Sequence, residues 1–180
     1  SFLLGASVGI TSAVIPNLQM STFGNNSMFV DVGLFSAGKG VLAAVYHPIV
    51  GSVSDERSQY WALVLSLGFS VIPWASYCIT SNFWAYSFLN SVLGLYELSL
   101  LLLIIIFSNK VSSHRKSRTL ALSFNIASFF TGIGGASFLG PAFSTKVAFL
   151  LSLGCQCLCC LVALIFLRRI DTPNMAFIEK

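Results

Sequence analysis

From Trp84 to Phe107 the chain lays down 24 residues in which Glu97 is the only charge. At the helical rise of about 1.5 Å per residue such a run is about 36 Å long, enough to cross the roughly 30 Å hydrocarbon layer of a bilayer. Five more apolar runs accompany it. The expected spans are 2–18, 28–50, 60–79, 84–107, 119–143 and 147–167. Lipid offers no hydrogen-bond partner, so each run must satisfy its own backbone, which a helix does. The expected fold class is all-α, a polytopic membrane protein built as a six-helix bundle. Composition agrees: only 9% of the 180 residues are charged and 56% are hydrophobic, against about 25% charged in soluble domains. Mean hydropathy is +0.84.

The breaks between runs are short and polar. Asn25-Asn26-Ser27 separates the first pair, Ser54 to Gln59 the second and third, and Thr80-Ser81-Asn82 the third and fourth. Ser108 to Arg118 is polar and basic, Ser144-Thr145-Lys146 is a turn, and 168–180 is a polar tail or the start of a linker. Arg57, Lys110, Arg115, Lys116, Arg118, Arg168, Arg169 and Lys180 fall on one side of the expected topology, and only Lys146 on the other. Cytoplasmic loops are enriched in Lys and Arg, so both termini are expected in the cytoplasm. The net charge of +4 is therefore read as topology and contact with anionic lipid, not as a nucleic-acid surface.

Three stretches resemble the major facilitator superfamily of transporters. Gly51-Ser52-Val53-Ser54-Asp55 matches the start of that family's loop between helices two and three, Gly-x-Leu-(small)-Asp-Arg-x-Gly-Arg-(Lys/Arg). Ser58, Gln59 and Tyr60 replace its glycine and basic pair, and Arg57 is its only positive charge, displaced by one position. Arg118-Thr119-Leu120-Ala121-Leu122-Ser123 is similar to the opening of helix five, and Gly132, Ala136, Ser137 and Gly140 fall on a small-residue pattern of the drug-antiporter branch. Gly33 to Leu42 with Lys39, leading into Pro48, resembles helix two of the hippocampus-abundant-transcript-like and tetracycline-resistance-like members. The resemblance covers six of the usual twelve helices. It implies one half of a transporter that moves a small solute by alternating access, with a proton as candidate coupling ion. It also implies a gating role for Gly51, Asp55 and Arg57, and a helix-five role for Arg118, Gly132, Ala136 and Gly140. The implied partners are the bilayer, an unidentified solute, and a carboxy-terminal half or a second copy. Ser1 in place of Met leads to the expectation of a fragment. The alternative is a non-transporting interaction or scaffold protein, or a degenerate half-transporter.

Lys39 and Glu97 are the costliest residues in the chain. They stand about 11 and 13 residues into their spans, near the expected midplane. A charge there costs at least about 2.5–3.5 kcal/mol, and intramembrane ionisable residues commonly mark transport pathways. Either they pair, holding the bundle together, or they face one watery cavity. Ser87, Asn90, Gly94 and Glu97 share one side of the fourth run, facing either a cavity or a neighbouring helix. His47 before Pro48 reads as a proton relay or as an interfacial side chain. Small stripes at Gly5/Gly9/Ser12, at Gly33/Ala37/Gly40/Ala44 and at Asn125/Ser128/Gly132/Ala136 read as helix contacts.

Other chemistry finds little support. Cys155, Cys157, Cys159 and Cys160 lie in one run, and one helix cannot converge four ligands on a metal. Cys78 is likewise inside an apolar run, so no disulfide scaffold is expected. The Asn25-Asn26-Ser27 sequon lies too near the membrane to be used. No phosphate-binding loop or paired carboxylates occur, so no enzyme, cofactor or metal site is expected.

Overall fold

The computed structural model describes residues 1–56, 59–110 and 115–166. The side chains of 23–32, 53, 55, 56, 108–110, 115–118 and 166 lie outside that description. Among the described residues there are six helices: α1 (Phe2–Glu56), α2 (Gln59–Thr80), α3 (Phe83–Leu93), α4 (Tyr96–Lys110), α5 (Arg115–Leu139) and α6 (Thr145–Phe166). A short 3-10 turn, Gly140–Ala142, follows α5. No strand occurs among the described residues. The fold is an all-α bundle.

Its outer surface is apolar. Phe138 is 88% exposed and Ile79 83%, with Leu120 and Phe124 close behind. Water would penalise such a surface; lipid matches it. Five stretches are long and apolar enough to cross a bilayer: Phe2–Thr22, Gln59–Thr80, Phe83–Phe107, Thr119–Ala142 and Thr145–Ile165. These features make the chain an integral, multi-pass membrane protein. The expected span 28–50 is not among the five. The five are counted among the described residues alone, and the side chains of 28–32 at the start of that span fall outside them.

One expected boundary is corrected. Helical backbone runs unbroken from Phe2 to Glu56, 55 residues, straight through Asn25-Asn26-Ser27. Polar residues weaken a helix without forbidding it, and neither proline of α1, Pro16 or Pro48, lies at that point. A straight rod of this length would measure about 82 Å and hold Ile15 and Phe35 about 30 Å apart. Instead Ile15 and Phe35 line one cavity with Phe83 and Tyr86, so α1 bends back sharply between them. Its two arms, 2–22 and 33–56, lie antiparallel. The run 84–107 remains within one stretch able to cross, Phe83–Phe107, and its helix is interrupted at Gly94 into α3 and α4.

Two core clusters mark the two ends of the bundle. One gathers Leu4, Leu63, Leu67, Leu102, Phe129 and Cys159, with Val50 packed against it. The other gathers Trp74, Tyr77, Phe83, Tyr86 and Phe149, with Ile15 and Leu18 against it. In chain order the sequence visits the first, the second, the first again at Val50, and so on to Ala163 in the first. The packing is that of alternating antiparallel crossings.

The first arm of α1 and α5 touch backbone to backbone. A Cβ at Gly5 would sit 2.1 Å from the Phe129 carbonyl oxygen, one at Gly9 2.4 Å from that of Ile133, and one at Gly132 2.4 Å from that of Phe2. Only glycine permits this approach, and close contact between small residues is what binds helices in lipid. Ser137 Oγ donates to the Gly9 carbonyl at 3.2 Å across the same seam. Within the bundle, Ser7 Oγ donates to Gln156 Oε1 at 3.2 Å, and Gln156 Nε2 donates to Ser70 Oγ.

Candidate functional site

The break at Gly94 builds the site. Gly94 takes φ −73° and ψ 59°, and its N–H still bonds the Asn90 carbonyl at 3.0 Å. A Cβ there would lie 2.2 Å from that oxygen and 2.6 Å from Asn90 Oδ1. The chain restarts as α4 at Tyr96, which leaves Glu97 in a first helical turn. A helix start carries unpaired N–H groups and a positive dipole end, which favour a carboxylate there. Glu97 is therefore not a charge in mid-helix, as its place in the apolar run implied, but one at a helix N-terminus inside the bundle.

The second arm of α1 brings Lys39 to this point. Its Nζ donates to Glu97 Oε1 at 3.0 Å and to the Tyr96 hydroxyl at 2.6 Å, and stands 3.9 Å from the Tyr96 ring centroid. Lys39 is 20% exposed and Glu97 55%. The ammonium is thus held by a carboxylate, a phenol oxygen and a ring face together.

Open space lies on both sides of Lys39. On one side is a half-open cavity that Lys39 shares with Gln19, Phe35, Ser87, Asn90 and others. A second space adjoins it, lined by Thr11, Ser12, Trp74, Tyr86, Asn90 and Tyr96. On the other side a depression holds Glu97 with Ala43, Tyr46 and His47. Ser91 Oγ, on the cavity wall, donates to the Ser87 carbonyl at 2.9 Å and to the Phe35 carbonyl at 3.4 Å, tying α3 to the second arm of α1.

Lys39 therefore stands between two spaces, with Ser87 and Asn90 lining one and Glu97 and His47 the other. Gly132, Ala136 and Gly140 lie elsewhere; they form the α1–α5 seam, where a Cβ at Gly140 would lie 2.6 Å from that of Ala13. Gly51 meets open space within 4 Å, so no close helix exit depends on it. Arg57 and the side chains of Asp55 and Arg118 lie outside the described residues, as does 168–180. Tyr96, Gln19, Tyr86 and Trp74 belong to the site and escape a sequence reading. The one usable signal is Tyr96 beside Glu97, just after a glycine.

Comparison with protein families, with curated proteins and with solved structures finds no match.

Proposed function

We propose that this chain is one half of a secondary transporter of the major facilitator kind, moving a small solute by alternating access with both ends on the cytoplasmic side. The observation that carries the proposal is the Lys39–Tyr96–Glu97 cluster at a break in a membrane-spanning helix, with Lys39 on the wall of an open cavity. Broken helices whose ends face a binding site near the midplane are a recurring device of transporters. An ion pair that only held helices together would not need 55% of Glu97 left open. Alternating access needs a second six-helix unit, a carboxy-terminal half or a second copy.

The test is flux in proteoliposomes. Labelled organic anions, cations and neutral solutes are offered with and without a proton gradient. Protein-dependent uptake that Lys39→Met and Glu97→Gln each reduce at least tenfold, at equal insertion, supports transport. Uptake indifferent to both, or none for any solute, overturns it.

Tyr60 favours a second reading. It occupies part of the basic pair of the family loop, yet it is buried and donates its hydroxyl to the Leu164 carbonyl at 3.2 Å. A gating position has become a packing position. A non-transporting membrane interaction protein fits that change, and the same flux measurement separates the two.

A further inference from the structure

The two sides of Lys39 differ in charge. The side toward His47 holds Glu97. The side toward Asn90 is lined by Gln19, Phe35, Ser36, Phe83, Tyr86 and neighbours, with no carboxylate among the described residues that line it. An ammonium has three protons to donate. Among the described residues two of those on Lys39 are bonded, to Glu97 and Tyr96, which leaves one for the cavity. In the adjoining space Trp74 Nε1 is a second donor. Trp74 is 2% exposed, packs beside Tyr86, and its Nε1 has no well-formed hydrogen bond. A buried donor without an acceptor is costly and calls for an explanation. Phe35, Phe83, Tyr86 and Trp74 supply ring surface around these donors.

We propose that the cavity on the Asn90 side of Lys39 binds a small organic anion with an aromatic body. The carboxylate takes the free Lys39 proton, the ring lies among Phe35, Phe83 and Tyr86, and an acceptor on the ligand reaches Trp74 Nε1. An organic cation of the same shape would meet Lys39 with no carboxylate among the described lining residues to offset the repulsion. The inference rests on the transport reading for the purpose of the site, but not for its chemistry.

The experiment is titration calorimetry of the full chain in lipid nanodiscs, with empty nanodiscs as blank. The probes are 1-naphthylacetate, 2-(1-naphthyl)ethanol and 1-naphthylmethylammonium. The acid is expected to bind at least tenfold more tightly than the ammonium, with the alcohol between. Lys39→Met removes the difference between acid and alcohol while the alcohol still binds, which also reports a folded site. Glu97→Gln removes the competing carboxylate and tightens the acid severalfold, so the test survives if Lys39→Met does not fold. Tighter binding of the ammonium, equal binding of all three, binding of none, or a weakened acid in Glu97→Gln overturns the proposal. Acid binding in the expected pattern without flux leaves this site standing and sinks the transport reading. Cation flux without acid binding does the reverse.

Discussion

A lysine and a glutamate at the centre of a bilayer each cost at least about 2.5–3.5 kcal/mol unless something compensates them. The 3.0 Å contact between Lys39 and Glu97 is that compensation, so removing one partner should hurt more than removing both. Lys39→Met and Glu97→Gln should each lower the unfolding midpoint in detergent, and the double variant should recover part of the loss. A double-mutant cycle is expected to give a coupling of about 1–2 kcal/mol, inside the usual range for residues in contact. Strict additivity would remove the pair as a stabilising contact. Both charges were legible in the sequence, because a lone charge in an apolar run stands out. The residues completing the site were not. Tyr96, Tyr86 and Trp74 are amphipathic rings that suit a membrane helix anywhere, and nothing local tells whether the polar tip of such a ring meets a ligand, a lysine or nothing.

At the scale of the helix, glycine means opposite things at positions that look alike. Gly5 and Gly9 are pressed against α5, while Gly33, Gly38 and Gly40 meet open space. Gly5→Val should push the α1–α5 seam apart and cost about 1–3 kcal/mol, the usual penalty of overpacking. Gly38→Ala should be neutral or stabilising by up to about 1 kcal/mol, through helix propensity alone. Thermal unfolding of the two variants in one detergent checks both, and equal losses would place the seam elsewhere. Gly94 is a third kind. An alanine there has its Cβ against the Asn90 carbonyl, so Gly94→Ala should shift the start of α4 and carry Glu97 off Lys39. The expected sign is loss of the coupling measured above, with the protein still folded; intact coupling would show that the break does not set the site. The small stripes were readable as contacts, but spacing cannot say which stripe finds a partner. The break at Gly94 was hidden for a similar reason, since glycine is frequent in membrane helices that continue past it.

For the whole molecule the open number is the count of crossings. Hydropathy among the described residues gives five; the packing gives six, because the second arm of α1 runs from the Phe35–Trp84 contact back to Val50 in the cluster that holds Leu4. Parity separates them. Six crossings put the start of α1 and the end of α6 on one face, in accord with Leu4 packing in the same cluster as Cys159 and Ala163. Five would put them on opposite faces, and would also spread the basic residues over both sides. The second arm is missing from the count of five because that count covers the described residues alone, which excludes the side chains of 28–32 at the start of its expected span. It can cross because α3 and α4 supply Tyr96, Glu97 and the Ser91 hydroxyl to its polar groups. The prediction follows in terms of accessible turns. With the native cysteines replaced, single cysteines at Ser81 and Ser144 should react in intact cells with a membrane-impermeant thiol reagent. One at Ser52, exposed near the end of α1, should react only after permeabilisation. Reaction of Ser52→Cys from outside would make α1 a single crossing, remove Lys39 from the membrane interior, and with it the cost that the Glu97 contact is there to offset.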